Sequence, residues 1–154
     1  MQYRQEMKAW KTHICEANYN FEKHNIFLAL VHYHKAIQLA ESLLSLPDNP
    51  NEAVAAVVES YQNLANLYVK EHQNKLAESE LRKVYQKLSA RLSESSPETP
   101  EVEALQWGIG KTYTALMNQL KNHPNQSTNP VPDAFWTPRV GIQYDSVPPN
   151  INPA

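Results

Sequence analysis

Residues 61–84, YQNLANLYVKEHQNKLAESELRKV, are the stretch that decides the fold of this chain. Apolar, aromatic and small side chains recur there at intervals of three and four residues: Tyr61, Leu64, Ala65 and Tyr68, then Ala77, Leu81 and Val84. Side chains with this spacing share one face of a helix, so each half predicts an amphipathic helix. Between them, residues 70–74 (KEHQN) are wholly polar and predict a tight turn. We therefore expect two antiparallel helices that approach closely at Ala65 and Ala77.

Three more helices are predicted, two before this pair and one after it. A first helix, over about residues 3–22, carries one apolar stripe: Trp10, Ile14, Ala17 and Phe21. A second, over about residues 26–46, has the most regular stripe: Ile26, Leu30, Tyr33, Ile37, Ala40 and Leu44. A fifth begins near residue 101 and carries a third stripe: Val102, Leu105, Ile109, Tyr113, Leu116 and Leu120. The predicted fold class is all-α, with about five helices arranged as antiparallel hairpins.

Capping residues mark the starts of several helices. The tetrapeptide NPNE at residues 49–52 supplies an Asn N-cap, a Pro at the first helical position and a Glu in the first turn. The tripeptide TPE at residues 99–101 repeats this arrangement, with Thr99 as the predicted cap. Asn25 is placed to cap the second helix.

Length and charge exclude several classes of protein. The 154 residues are enough for one domain with a core. Residues 1–122 carry 13 basic and 14 acidic side chains, so they lack the basic excess of a nucleic-acid or membrane-surface binder. The single cysteine cannot form an intramolecular disulfide and is typical of a reducing compartment. Because the chain also shows neither a secretory signal nor a long apolar run, we expect a soluble cytoplasmic protein.

Residues 123–154 differ in composition from residues 1–122, and we predict a boundary there between a helical domain and a Pro-rich tail. The tail contains seven of the 11 prolines, and its only charged residues are Asp133, Arg139 and Asp145. Proline favours extended backbone over helix, so the tail is predicted to be extended. We expect the aromatic pair Phe135-Trp136 to anchor it on the helices of its own subunit or of a second copy.

Residues 61–84 resemble a tetratricopeptide-repeat (TPR) helical hairpin, in which aromatic-x-x-Leu-small-x-x-Tyr is followed by Ala-x-x-x-apolar. The fifth helix resembles the first half of that hairpin, with Ile109, Gly110 and Tyr113 in the places of Leu64, Ala65 and Tyr68. The 45-residue spacing from Ala65 to Gly110 exceeds the TPR period of about 34 residues, so the resemblance is to a TPR-like repeat. The chain also resembles small uncharacterised bacterial proteins of this size, which implies no particular activity.

The resemblance to TPR proteins implies a binding function. In that family the first helix of each hairpin lines a concave surface that receives peptides. Carried over to this chain, the peptide-binding groove would be lined by Gln62, Asn66, Val69 and Lys70 on the third helix and by Trp107 and Lys111 on the fifth. Flanking positions would be Glu59, Ala104 and Thr114. An Asn placed like Asn66 often hydrogen-bonds the backbone of an extended ligand, and Trp107 is either a packing residue or an anchor for a partner.

The histidines and the cysteine, the residue types that most often bind metals or act in catalysis, are not spaced as a metal site or a catalytic site requires. His32 and His34 are two apart on a predicted helix and point to different faces, so we expect no metal site. His13 and Cys15 also face apart, and no oxyanion element accompanies them. We expect Cys15 to be a buried small hydrophobic residue, and we predict no catalytic residue and no cofactor.

The fourth helix carries a basic stripe of three residues: Lys83, Lys87 and Arg91. Glu78 and Glu80 can pair with Arg82 and Lys83 at i+4 and i+3, so we expect this stripe to belong to a solvated helix face.

The function predicted from the sequence is a non-catalytic adaptor or scaffold that binds a protein or peptide segment. The alternative is a self-assembling structural protein that forms a homodimer through its apolar face and its tail. An enzyme or small-molecule carrier is disfavoured because no reactive set of residues is present.

Overall fold

Five α-helices follow one another in residues 1–124, the part of the chain that the structure, a computed structural model, describes. They are α1 (Gln2–Glu22), α2 (Ile26–Leu44), α3 (Pro50–Lys70), α4 (Asn74–Glu94) and α5 (Glu101–Asn122). Each helix packs against the next in the chain, and α3 also packs against α5. Residues 1–124 contain no strand, so the predicted all-α class with helical hairpins is confirmed. The predicted tail anchor, Phe135-Trp136, lies outside the described residues.

The hairpins α1–α2 and α3–α4 repeat in the chain at a spacing of 48 residues. α1 and α3 each have 21 residues, and they begin at Gln2 and Pro50. α2 and α4 begin at the same spacing. Both hairpins turn through a histidine in the left-handed backbone conformation, His24 at φ 64° and His72 at φ 61°. None of the five helices in residues 1–124 combines the length and the apolar character that crossing a bilayer requires.

The same hydrogen bonds close both turns. After α1, the Asn25 N–H donates to the Asn20 carbonyl at 2.8 Å, and after α3 the Gln73 N–H donates to the Tyr68 carbonyl at 2.7 Å. In each turn the preceding histidine donates to the carbonyl three residues earlier, at 3.0 Å. This pair of bonds is the Schellman motif, which satisfies the last carbonyls of a helix and reverses the chain. The polar turn predicted for residues 70–74 is thus formed, but over residues 71–73 alone, because Lys70 ends α3 and Asn74 begins α4.

Of the three predicted N-caps, one caps its helix through its side chain and two do not. Asn49 caps α3, because its side-chain oxygen accepts from the Glu52 N–H at 3.2 Å. Asn25 occupies the N-cap of α2 but makes no capping bond with its side chain. The predicted cap at Thr99 is wrong: Pro100 is the N-cap of α5, and the Thr99 hydroxyl donates to the Ser96 carbonyl at 2.9 Å. Thr99 therefore belongs to the turn before the helix.

Two apolar clusters hold the helices together. The larger cluster draws side chains from all five helices. The smaller cluster lies between α3, α4 and α5: Ala65, Ala77, Leu81 and Leu116. Ala65 and Ala77 therefore lie in one cluster between α3 and α4, as predicted.

α5 lies close against α3 and α4 at Gly108. A Cβ built there would lie 2.6 Å from Cγ1 of Val54 and 3.1 Å from Cδ1 of Leu88, so a side chain at this position would not fit. Gly110 is exposed, and a Cβ added there would meet nothing within 4 Å. The predicted equivalence of Gly110 with Ala65 is therefore wrong.

Lys83 and Lys87 of α4 lie on an exposed face, as predicted, and Lys87 and Arg91 also join α4 to α2. The Lys87 ammonium donates to a Glu41 carboxylate oxygen of α2 at 2.6 Å. The Arg91 guanidinium donates to the Leu44 carbonyl at 2.9 Å. The predicted pairs within α4 are formed: Glu78–Arg82 at 2.6 Å and Glu80–Lys83 at 3.4 Å. Both glutamates of these pairs are buried.

Candidate functional site

A cleft of about 300 Å³ lies between α3, α4 and α5, and we call it the α3–α5 cleft. Its lining consists of nine residues: Gln62, Ala65, Asn66, Val69, Leu81, Ala115, Asn118, Gln119 and Asn122. The smaller apolar cluster lies beneath it, since Ala65 and Leu81 belong to both. The cleft therefore has an apolar floor fixed by the packing of three helices.

Two helices line the cleft with the same pattern of positions. On α3 the lining residues Gln62, Ala65, Asn66 and Val69 stand at i, i+3, i+4 and i+7. On α5 Ala115, Asn118, Gln119 and Asn122 repeat that spacing 53 residues later. Positions with this spacing form one stripe along a helix, so α3 and α5 present matching stripes to the cleft.

Carboxamide side chains dominate the polar part of the lining. Gln62, Asn66, Asn118, Gln119 and Asn122 are all amides, and the nine lining residues include no Asp, Glu, Lys or Arg. Each carboxamide offers two N–H donors and one carbonyl acceptor. A peptide group offers the same two functions, one donor and one acceptor, whereas a charged group would find no countercharge here.

One of these amides is held by a buried neighbour. The Gln119 side chain donates from Nε2 to Oδ1 of Asn74 at 3.3 Å. Asn74 is the first residue of α4 and is buried. This bond links α5 to the start of α4 and orients a carboxamide at the cleft. The Asn66, Asn118 and Asn122 side chains are exposed and so are accessible to a ligand.

The residues predicted for the groove are placed in two groups. Gln62, Asn66 and Val69 line the α3–α5 cleft. Trp107 and Lys111 contact each other nearer the N terminus of α5, with the Lys111 ammonium 5.7 Å from the centroid of the Trp107 ring. Trp107 is 49% exposed, so about half of its surface is open to solvent.

Four other predicted groove positions lie outside the cleft lining: Glu59, Lys70, Ala104 and Thr114. Lys70 is exposed at the last position of α3. Thr114 is exposed as well. The flanking position predicted at Ala104 is wrong, because Ala104 is buried in the larger apolar cluster.

Sequence reasoning missed the α5 half of the cleft. A signal was present, because the segments QNLANLYV at residues 62–69 and ALMNQLKN at residues 115–122 each carry either an amide or a small residue at their first, fourth and fifth positions. The sequence alignment of α5 with α3 set Gly110 equivalent to Ala65, whereas in the cleft Asn118, eight residues later, holds the position that corresponds to Ala65. The residues missed in this way are Ala115, Asn118, Gln119 and Asn122.

A second polar pair joins α1 to α2. Nδ1 of His13 lies 2.9 Å from Nδ1 of His32, and the two rings are tilted by 31°. Burial lowers the pKa of His13, and the nearby His32 and Lys35 lower it further. The pair was not predicted, because its members are 19 residues apart on different helices. Within residues 1–124 no group of three or more His, Cys, Asp or Glu side chains is arranged to hold a metal ion.

The predicted burial of Cys15 is wrong. Its thiol is exposed, whereas the adjacent Ile14 is buried. Successive residues of a helix are separated by about 100° around its axis, so a residue next to the apolar stripe of α1 can face solvent.

Comparison with known proteins identifies a family but no function. The family described as "Protein of unknown function (DUF2753)" matches residues 8–132, which include most of α1, all of α2 to α5 and eight residues beyond Pro124. No curated protein and no solved structure matches the chain. Since the match covers well over half of its length, the chain belongs to the DUF2753 family.

Proposed function

We propose that this protein is a non-catalytic interaction module, an adaptor or scaffold of TPR-like architecture that acts in the cytoplasm. It binds an extended protein or peptide segment in the α3–α5 cleft. The observation that carries this proposal is the lining: five carboxamides around an apolar floor, without a charged side chain among the nine lining residues.

The chemistry of the lining favours a peptide backbone as ligand. Buried peptide N–H and C=O groups must keep hydrogen-bond partners, and carboxamides supply both kinds. The floor at Ala65, Val69 and Leu81 can receive small apolar side chains of the ligand. A volume of about 300 Å³ is at the lower end for ligand sites and fits a few residues of an extended chain.

The non-catalytic part of the proposal rests on the same lining. A carboxamide does not titrate near neutral pH, so it cannot act as a general acid or base, and it is a poor nucleophile. The remaining lining residues are Ala, Val and Leu. The cleft therefore offers binding groups without a reactive one.

Trp107 and Lys111 extend the proposed site along α5. They precede Ala115, Asn118 and Asn122 at intervals of four and three residues, so they continue the same stripe toward the N terminus of the helix. A ligand that leaves the cleft in this direction would meet an exposed indole beside an ammonium group. Exposed Trp side chains are frequent anchors in protein interfaces.

A site-specific crosslink tests the proposal. The photoreactive residue p-benzoylphenylalanine would replace Asn66 in the cleft and, as a matched control, Gln86, an exposed residue of α4 outside the lining. We expect irradiation in cells to capture a defined protein segment from position 66 and not from position 86, with the captured segment read by mass spectrometry. Equal capture at both positions, or none at position 66, would contradict the proposal.

A homodimer is the second candidate, because apolar side chains are exposed at one end of the α1–α2 hairpin. Phe27 is 76% exposed, Tyr19 58% and Leu28 48%. Exposed apolar patches of this kind can mark an interface between subunits. Light scattering distinguishes this candidate: a dimer that dissociates on Phe27→Ser supports it, and a monomer at all concentrations excludes it.

A further inference from the structure

We propose that residues 125–132 of this chain (NQSTNPVP) occupy the α3–α5 cleft of their own subunit when no other ligand is bound. This inference rests on the proposed function, since it assumes that the cleft accepts an extended peptide. It goes further by naming the occupant and its chemistry: a neutral segment rich in amides, hydroxyls and proline.

The first argument is position. Asn122, the last residue of α5, lines the cleft, and Pro124 follows two residues later. The described part of the chain therefore ends, at Pro124, two residues after a lining residue of the cleft. A segment tethered this closely has an effective concentration on the order of millimolar, so a weak intrinsic affinity is enough for occupancy.

The second argument is complementarity. Residues 125–132 contain no charged side chain, and neither does the cleft lining. Asn, Gln, Ser and Thr of the segment can exchange hydrogen bonds with the five carboxamides. Pro130, Val131 and Pro132 provide apolar groups for the floor at Ala65 and Leu81. Proline also favours extended backbone and has no N–H that would need a partner.

The third argument is reach. From Gln62 to Val69 the cleft runs about 11 Å along α3, at about 1.5 Å per residue. Eight extended residues span about 26 Å, which leaves length for the chain to reverse after α5. The distance along α5 from Asn122 back to Trp107 is about 22 Å. Phe135 and Trp136 follow the segment after two further residues, and the extended chain up to them is long enough to reach the Trp107–Lys111 pair.

The family match also covers this segment. It does not stop where α5 ends at Asn122 but continues to residue 132. The matched residues therefore include the segment proposed to fill the cleft.

Amide hydrogen exchange of the full chain, read by mass spectrometry, tests this inference. We expect the amides of residues 125–134 to exchange at least about tenfold more slowly than in an unstructured peptide, as a mostly occupied cleft requires. The double variant Gln62→Ala/Asn66→Ala should restore the unprotected rate. The control variant Ser79→Ala/Gln86→Ala changes two exposed residues of α4 and should leave protection unchanged.

Each other outcome overturns the inference. Unprotected rates in the wild-type chain would show that the segment is not bound, and protection that survives Gln62→Ala/Asn66→Ala would place it elsewhere. Protection that disappears on dilution would make the occupant a second copy. None of these results decides the proposed function, because capture of another protein from position 66 is measured separately.

Discussion

His24 and His72 are the non-glycine residues of residues 1–124 that have a positive φ, a backbone conformation that lowers the stability of the fold. A positive φ disfavours any residue with a Cβ, and glycine is the usual choice at this position of a Schellman motif. We expect His24→Gly and His72→Gly each to stabilise the fold by about 0.5–1 kcal/mol. Urea denaturation would measure this change.

His34 provides the matched control for these two substitutions. It is an exposed residue within α2, where glycine is an unfavourable helix former. His34→Gly should therefore destabilise the protein by about 1 kcal/mol. Destabilisation by glycine at all three histidines would contradict the assignment of left-handed turns.

The His13–His32 contact predicts a pH dependence. Burial lowers the pKa of His13, with further lowering by His32 and Lys35 of α2, while Glu16 of α1 raises it. The unfolded chain, whose histidine pKa is about 6.5, therefore takes up this proton at a higher pH than the folded protein. Stability should fall as the pH drops through about 6.5 toward the lowered pKa.

The pH 7.5 to 5.5 window isolates this effect. The pKa of Glu6, lowered by hydrogen bonds from Ser42 and Gln2, matters only at more acidic pH. We expect the melting temperature of the wild type to fall more between pH 7.5 and 5.5 than that of His13→Asn. Equal decreases in the two proteins would show that His13 titrates as it does in the unfolded chain.

At the scale of the helices, the contact of α5 with α3 and α4 depends on Gly108. A methyl group there would meet the buried Val54 side chain at 2.6 Å, and a β-branched residue in the core cannot move away cheaply. We expect Gly108→Ala to destabilise the fold by about 1–3 kcal/mol. Gly110→Ala, where space is open, should instead stabilise it by up to about 1 kcal/mol.

Thermal denaturation of the two alanine variants would check this pair of expectations. Similar stabilities for Gly108→Ala and Gly110→Ala would mean that α5 does not approach α3 as described. The comparison also tests the register of α5, since a sequence match to the hairpin of α3 and α4 placed Gly110 at the contact.

The helices themselves were predictable because their signals are local. The three-and-four spacing at Trp10, Ile14 and Ala17 gave α1, and Asn49 before a proline gave the start of α3. Contacts between helices were less predictable. Gly108 and Gly110 differ by two positions along α5, and only the packing of α5 against α3 decides which one is buried.

Of the candidate site, the lining residues on α3 could be predicted from the sequence, whereas those on α5 depend on contacts between helices and could not. Gln62, Asn66 and Val69 followed from the family resemblance of α3, where the periodic pattern is strong. Asn118 and Gln119 did not follow, because their role depends on the register of α5 against α3. The burial of Cys15 was predicted wrongly, since a residue next to a buried one can lie outside the apolar stripe of its helix.

At the scale of the whole molecule, the proposed ligand path runs from the cleft along α5. Replacing Trp107 and Lys111 together by alanine removes an exposed contact without touching either apolar cluster. We expect the segment captured from position 66 to bind this variant more weakly, with an unchanged helical circular dichroism spectrum. Unchanged binding would confine the site to the cleft itself.

The central claim is that the α3–α5 cleft binds a neutral peptide backbone through its carboxamides. Asn66→Asp tests it most directly, because it places a charge in the cleft with almost no change of shape. Asn51→Asp adds the same charge to an exposed residue near the start of α3, away from the cleft. The measurement is the Kd of the segment captured from position 66, as a synthetic peptide, by fluorescence anisotropy. We predict a Kd raised by about tenfold or more in Asn66→Asp and unchanged in Asn51→Asp, since the bound peptide would cover an exposed carboxylate and leave it unpaired, which costs about 1–3 kcal/mol. An equal Kd for both variants and the wild type would contradict the claim.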